Sequence, residues 1–450
     1  MRRRVLSLAV ALICGLASTT QAADLLEIYD LAVQNDPRIR EAEQVLFATR
    51  EVQPQARALL LPNLAVQGTV DYQSLDVRGV APDGSRFSRS ESFDSQGLQA
   101  VVSQTVYNRA SWMTLSQTDN ILAQAEAQYR DQQIALMAAT TEAYFGVLRA
   151  ADLVTVQASL VRANERQLEQ SRQRFEVGLV AITDVNDNLA AFDQSRADLI
   201  TAENQLDNAW EALRRIVGPI QTPIARLGDA LPLTPPEPND INVWAESAMR
   251  GNFGIIAASE AVGAAKKGIE IERSGFYPSV NLQAGYDMAR SGTDSRNDAD
   301  LGFIGLQVNV PIYQGGAVTS RTRQAGYNFR ASQDNLDAVR RQVDQQVKDA
   351  FRGITSSIAD VKARQAAVVS ARSSLESTEA GQEVGTRTQV DVLNAQRQLF
   401  QAEFEYLSSR YQYIINGILL HQATSTLNRD ILARGNAWLD PSDTIAPPAN

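Results

Sequence analysis

The sequence predicts an α+β chain in which long α-helical hairpins run on from short sets of β-strands, with the whole arrangement duplicated within the chain. Three observations predict it. First, Val177-Gly178-Leu179-Val180-Ala181-Ile182-Thr183-Asp184-Val185 and Val384-Gly385-Thr386-Arg387-Thr388-Gln389-Val390-Asp391-Val392 read as one turn written twice. Their glycines and their aspartates are each 207 residues apart. Second, four segments alternate apolar and polar residues with period two. Third, long stretches without proline carry apolar residues at intervals of three, four or seven, the mark of packed helices.

In chain order, the first residues read as an export signal, assigned to residues 1–22: Arg2-Arg3-Arg4, an apolar run from Val5 to Leu16, then small residues ending Gln21-Ala22-Ala23. Cys14, the sole cysteine, lies within it. The remaining chain is therefore expected to hold no disulfide, thiolate metal site or cysteine nucleophile. No later stretch approaches about 18 uninterrupted apolar residues, so no transmembrane helix is expected. Loss of Arg2, Arg3 and Arg4 takes the formal charge from −10 to −13, which argues against a nucleic-acid partner.

Residues 23–216 form the first predicted repeat. Helical spacing begins at Leu25 and breaks at Asn35-Asp36-Pro37. After Pro62 the period changes to two, with Leu64, Val66, Gly68, Val70 and Tyr72 on one face. A polar connection from Gln73 to Gln96 leads to a second strand carrying Leu98, Ala100, Val102 and Val106. A long helix from Ala110 to about Phe175 follows, then the first glycine turn and a returning helix to about Ile216. Residues 217–243, rich in proline, read as a linker or equatorial region.

The second repeat, 244–428, keeps this order. One strand carries Val280, Leu282, Ala284, Tyr286 and Met288; the loop Ser291–Asp298 leads to another with Ile304, Leu306, Val308, Val310 and Ile312. Gly315-Gly316 is expected to be a hinge into a long helix from Ala317 to Ala380, roughly 95 Å if continuous. Residues 429–450 are expected to be a C-terminal extension, partly disordered from Asp440 onward. Taken alone, the strands favour two hairpins of a soluble sheet over a membrane barrel, and what counters that reading is the lack of an obvious partner layer. Four strands cannot close a barrel, since about eight is the practical minimum, so a barrel must be shared among copies in some multiple of four.

These features resemble the TolC family of outer-membrane exit ducts over nearly the whole chain. The resemblance rests on Arg174-Phe175-Glu176-Val177-Gly178-Leu179-Val180-Ala181-Ile182-Thr183-Asp184-Val185, Pro311-Ile312-Tyr313-Gln314-Gly315-Gly316, Gln324-Ala325-Gly326-Tyr327-Asn328-Phe329 and Val384-Gly385-Thr386-Arg387-Thr388. It implies a homotrimer with a twelve-stranded barrel in outer-membrane lipid of a Gram-negative bacterium and a helical tunnel through the periplasm. It also implies a periplasmic adaptor (membrane fusion) protein and an inner-membrane ABC or proton-driven RND transporter as partners. The chain would be a passive conduit for efflux or type I secretion, without enzymatic activity or cofactor. The differing reading is a structural periplasmic coiled-coil protein or surface adhesin.

The resemblance places the turns at a constriction. It implies Asp391 in an acidic ring and a closed-state latch built around Arg387, Thr183 and Asp184. Asn394 stands where relatives often carry a second aspartate. Gln382 and Glu176 replace Tyr and Asn at the remaining latch positions. The residues themselves also allow a plainer role, since Thr388-Gln389-Val390-Asp391 reads as a capping box and Asp184 suits a helix N-terminus. His421, the single histidine, has no supporting metal or triad motif.

Overall fold

The computed structural model describes residues 22–291 and 298–448. Most of the export signal, Cys14 included, and much of the loop Ser291–Asp298 lie outside the described residues. The chain divides into two compact units, each drawn from both repeats: residues 40–132 with 251–343, and residues 1–39 with 133–250 and 344–450.

The first of these units is built on a four-stranded antiparallel sheet, β1 (Asn63–Val80), β2 (Arg86–Asn108), β4 (Ser279–Ser291) and β5 (Ala299–Asn309), in the order β1-β2-β4-β5. The number β3 belongs to a strand between β2 and β4 in the chain, described below. The register carries the sequence alternation across all four strands. Leu64 faces Val102, Val102 faces Ala284 and Ala284 faces Ile304, which sets one apolar row on one side of the sheet. Asn63, Ser103, Gln283 and Gly305 form the neighbouring row on the other side. Neither face is covered by this chain: Leu64 is 68% exposed, Ile304 78%, and nearly every residue of β1 is exposed. Among the described residues, β1 and β5 each leave one edge unpaired.

The stretch from Gln73 to Gln96 is strand rather than the predicted connection. β1 and β2 pair without interruption from Asn63↔Ser103 to Val80↔Arg86, leaving a tight turn around Pro82-Asp83-Gly84. β4 pairs with β2 only as far as Ser95, so residues 73–94 continue as a two-stranded ribbon. One side of this ribbon carries Leu75, Val77, Phe87 and Phe93, but Arg89 and Glu91 interrupt that side, so the second strand shows no regular apolar period. β5 ends at Asn309, short of the predicted Val310 and Ile312, because Pro311 has no N–H to donate.

The helices of this unit are α2 (Pro37–Arg50, mostly here), α3 (Val52–Ala58), α7 (Phe253–Arg273) and the early parts of α4 (Arg109–Glu176) and α8 (Ala317–Glu383). Gly315 and Gly316 have φ of 59° and 80°, so the predicted hinge uses two residues in the left-handed region that glycine alone enters freely.

The second unit holds α1 (Leu25–Asn35), most of α4 and α8, α5 (Ile182–Val217), α6 (Ile241–Gly251), α9 (Gln389–Ala423) and α10 (Arg429–Asn436). Its core is apolar and dense: Tyr144, Phe145, Leu148, Trp210, Leu213 and Leu432 are all fully buried. α4 contains an 18-residue window apolar enough to cross a membrane, with mean hydropathy 1.2. Its Tyr144, Phe145, Val147 and Leu148 are instead buried within the chain, as in a core helix.

Two expectations for the connecting segments change. The linker contains β3 (Ile224–Leu227), and the extension expected to be disordered from Asp440 contains β6 (Leu439–Ile445), its antiparallel partner. Ala23 adds a parallel bridge to Ile224, so three remote segments share one small sheet. Asp152 on α4 secures it. Arg226 of β3 donates to Asp152 at 3.3 Å, and Tyr411 of α9 donates to it at 2.6 Å. Burial pushes the Asp152 carboxyl above the usual carboxylate range despite these donors.

Candidate functional site at the helix turns

Both turns end their helices in the same way. Gly178 and Gly385 have φ of 76° and 77°. After α4, Leu179 N–H donates to the Arg174 carbonyl at 2.8 Å and Gly178 N–H to that of Phe175 at 2.9 Å. After α8, Thr386 N–H donates to Gly381 at 2.8 Å and Gly385 N–H to Gln382 at 3.0 Å. These paired bonds are Schellman closures, which need a left-handed residue at the glycine position. The 207-residue repeat is therefore a repeat of backbone geometry.

The restarts differ. α9 begins with a full capping box: Asp391 N–H donates to the Thr388 hydroxyl at 3.2 Å, while the Thr388 N–H donates to the Asp391 carboxylate at 2.9 Å. α5 begins at Ala181, which has no side chain to cap with. Thr388 holds the Asp391 carboxyl below the usual carboxylate range, through its N–H first and its hydroxyl second, with a smaller pull from Arg387. A lowered folded-state value means that this cap is at full strength above the unfolded-state value of about 3.9 and is lost as pH falls through the folded-state value. Amide exchange at residues 389–392 is expected to accelerate below about pH 4, and Asp391→Asn to remove that pH dependence.

The remaining predicted residues fall as follows. Arg387, Thr183, Glu176 and Asn394 are exposed, and Asp184 is half-buried on the first turn of α5. Among the described residues, no ion pair joins Arg387 to Asp184 within one chain. The structure brings Arg387 close to Asp391 instead. Gln382 is engaged within the chain, donating to Gln389.

That bond belongs to an amide cluster that sequence reasoning missed. The Gln389 carbonyl oxygen also accepts from Gln167 at 3.2 Å, and its amide donates to Asn188 at 2.8 Å. Asn188 and Gln389 are both buried. A usable signal existed: Gln389, Val392, Leu393, Gln396 and Leu399 occupy one buried helical stripe of α9, and a polar residue on such a stripe needs a partner.

Elsewhere, His421 packs edge-on against Trp244 at 5.5 Å and bonds Thr426 at 2.9 Å. Burial pushes its pKa down to about 4, the behaviour of a neutral core histidine. Among the described residues, no group of three or more His, Cys, Asp or Glu is placed to hold a metal.

The model of the outer membrane efflux protein family matches residues 28–219 and 244–426, one block in each repeat. The chain belongs to this family. It is 36% identical over 443 residues to the outer membrane protein TolC of Vibrio cholerae, covering 97% of this chain and 99% of that protein. It is 28% identical to the alkaline protease secretion protein AprF of Pseudomonas aeruginosa, over 92% of this chain and 87% of that one. Among solved structures, the outer membrane protein VceC of Vibrio cholerae superposes with a TM-score of 0.75 at 18% identity, covering 89% of this chain and 95% of VceC. The duplicated α+β fold is thus that of this family, and the segment between the matched blocks is the proline-rich join that carries β3.

Proposed function

We propose that this chain is one protomer of a homotrimeric exit duct in the outer membrane, closed at its helix turns and working passively. The observation that carries the reading is the sheet of a family member that has two unpaired edges and no cover on either face. In lipid, unpaired backbone groups are not tolerated, and joining β1 of one copy to β5 of the next removes both edges. Three copies supply twelve strands, enough for a lumen. The row Leu64, Val102, Ala284 and Ile304 then faces lipid, and the polar row faces the lumen.

The same exposure disfavours a soluble sheet, which would need a layer packed on it. Likeness to TolC and AprF supports cargo that includes secreted proteins as well as small molecules. A periplasmic adaptor and an inner-membrane ABC or RND transporter would drive transport, since the turns hold no energy-coupling chemistry. Fractionation to the outer membrane, a trimer on native mass measurement, and ion conductance in planar bilayers are the expected results. A chain extracted without detergent as a monomer would overturn the reading.

At the constriction, three Asp391 carboxylates near one axis attract cations. Their caps keep them ionised, and Asn394 contributes dipoles instead of charge. Asp391→Ala is expected to reduce the cation-to-anion permeability ratio, read as a reversal-potential shift in a salt gradient. An unchanged reversal potential would remove Asp391 from the pore.

A further inference from the structure

We propose that Gln389 is a positioning residue for the closed aperture: an uncharged bolt that ties the two helical hairpins of one chain together beside the charged contacts at the turns. The proposal rests on the duct reading above. Gln389 lies on the first turn of α9, next to the Thr388 cap. Its Oε1 accepts from Gln167 Nε2 on α4 at 3.2 Å and from Gln382 Nε2 on α8, and its Nε2 donates to Asn188 Oδ1 on α5 at 2.8 Å. One side chain therefore bonds all three other helices. Both lone pairs of its carbonyl oxygen are used.

Asn188 is fully buried and Gln389 is nine-tenths buried, so the bond between them is shielded from water, while Gln167 and Gln382 are half-buried at its margin. Separating the α8–α9 hairpin from the α4–α5 hairpin must break the bonds of Gln389 to Gln167 and Asn188 together. The junction is also poised, because Asn188 Nδ2 is buried with no hydrogen-bond partner among the described residues. A satisfied network would gain nothing by opening; this one already carries a desolvated donor.

The chemistry separates this bolt from the charged contacts. Salt screens exposed charges such as Arg387 and leaves neutral bonds in a dry site almost untouched. The decisive experiment compares full-length Gln389→Leu and Arg387→Ser with the parent protein in planar bilayers at about 0.1 M and about 1 M salt. Gln389→Leu is expected to raise resting open probability several-fold at both concentrations, while the effect of Arg387→Ser fades at the higher one. Parental open probability in Gln389→Leu, or an increase that vanishes in high salt, would overturn the proposal.

Hydrogen exchange on the same proteins in detergent separates this inference from the duct reading. Gln389→Leu is expected to speed exchange at residues 182–188 of α5, a helix that does not carry the substitution. Unchanged exchange there overturns the tie even in a conducting channel. Faster exchange in a protein that conducts no current supports the tie and overturns the duct alone.

Discussion

Trp210→Ala is expected to destabilise the unit that holds the turns by about 3–5 kcal/mol, the range for emptying a large aromatic site. Trp210 is fully buried on α5, as are Leu213 on the next turn and Tyr144, Phe145 and Leu148 on α4. The cost depends on how far the site collapses. Here the nearby strand and helix ends are fastened: Tyr144 donates to the Ala225 carbonyl at 2.7 Å, and Asn35 to that of Val217 at 2.9 Å. A pinned surround keeps the cavity open, so the upper part of the range applies. Urea unfolding followed by helical circular dichroism measures it, with Trp210→Phe as the milder comparison. An Ala variant with the parental midpoint would show that Trp210 does not organise this core.

The second large effect is expected at the aperture. Arg387→Ser or Asp184→Ala should raise resting conductance about two- to tenfold, the scale of a few exposed ion pairs acting together. Arg387 is exposed beside a capped Asp391, while Asp184 sits at the uncapped start of α5. Among the described residues no ion pair joins them inside one chain; in the proposed trimer the pairing would run between neighbouring copies, where guanidinium and carboxylate can form two parallel bonds. Single-channel recording decides it. Equal currents in both variants and the parent would break the assignment, whereas a rise in only one would identify a different partner for that residue.

What could be read from the sequence followed the range of each signal. The glycine turns were legible because a left-handed residue leaves glycine at a fixed place, and the repeat doubled that mark. Leu64 to Tyr72 was legible because one face must be apolar. The ribbon of residues 73–94 was not, since Arg89 and Glu91 interrupt the side that carries Leu75, Val77, Phe87 and Phe93. β3 and β6 were hidden for another reason: each is short, one lies among prolines and the other in a polar tail, and their pairing spans the chain.

At the site the same logic holds. Capping by Asp391 is a three-residue relation and could be read directly. The amide cluster joins four helices through Gln167, Asn188, Gln382 and Gln389, with partners as many as 222 positions apart. No local pattern encodes such a meeting. The Arg387 and Asp184 latch is a proposal carried by the family resemblance, and among the described residues one chain holds no ion pair between them.

The two unpaired strand edges bear on how much of the molecule any single chain can stabilise. In the proposed trimer β1 of one copy meets β5 of the next, and because the two differ in sequence the contact would be directional, with copies adding head to tail until a ring closes. Before such a ring closes each chain would carry unsatisfied strand edges, and the strands would draw stability from subunit concentration by mass action. On that reading, a change that merely halves expression would also be a destabilising change for the strands, wherever in the chain it falls.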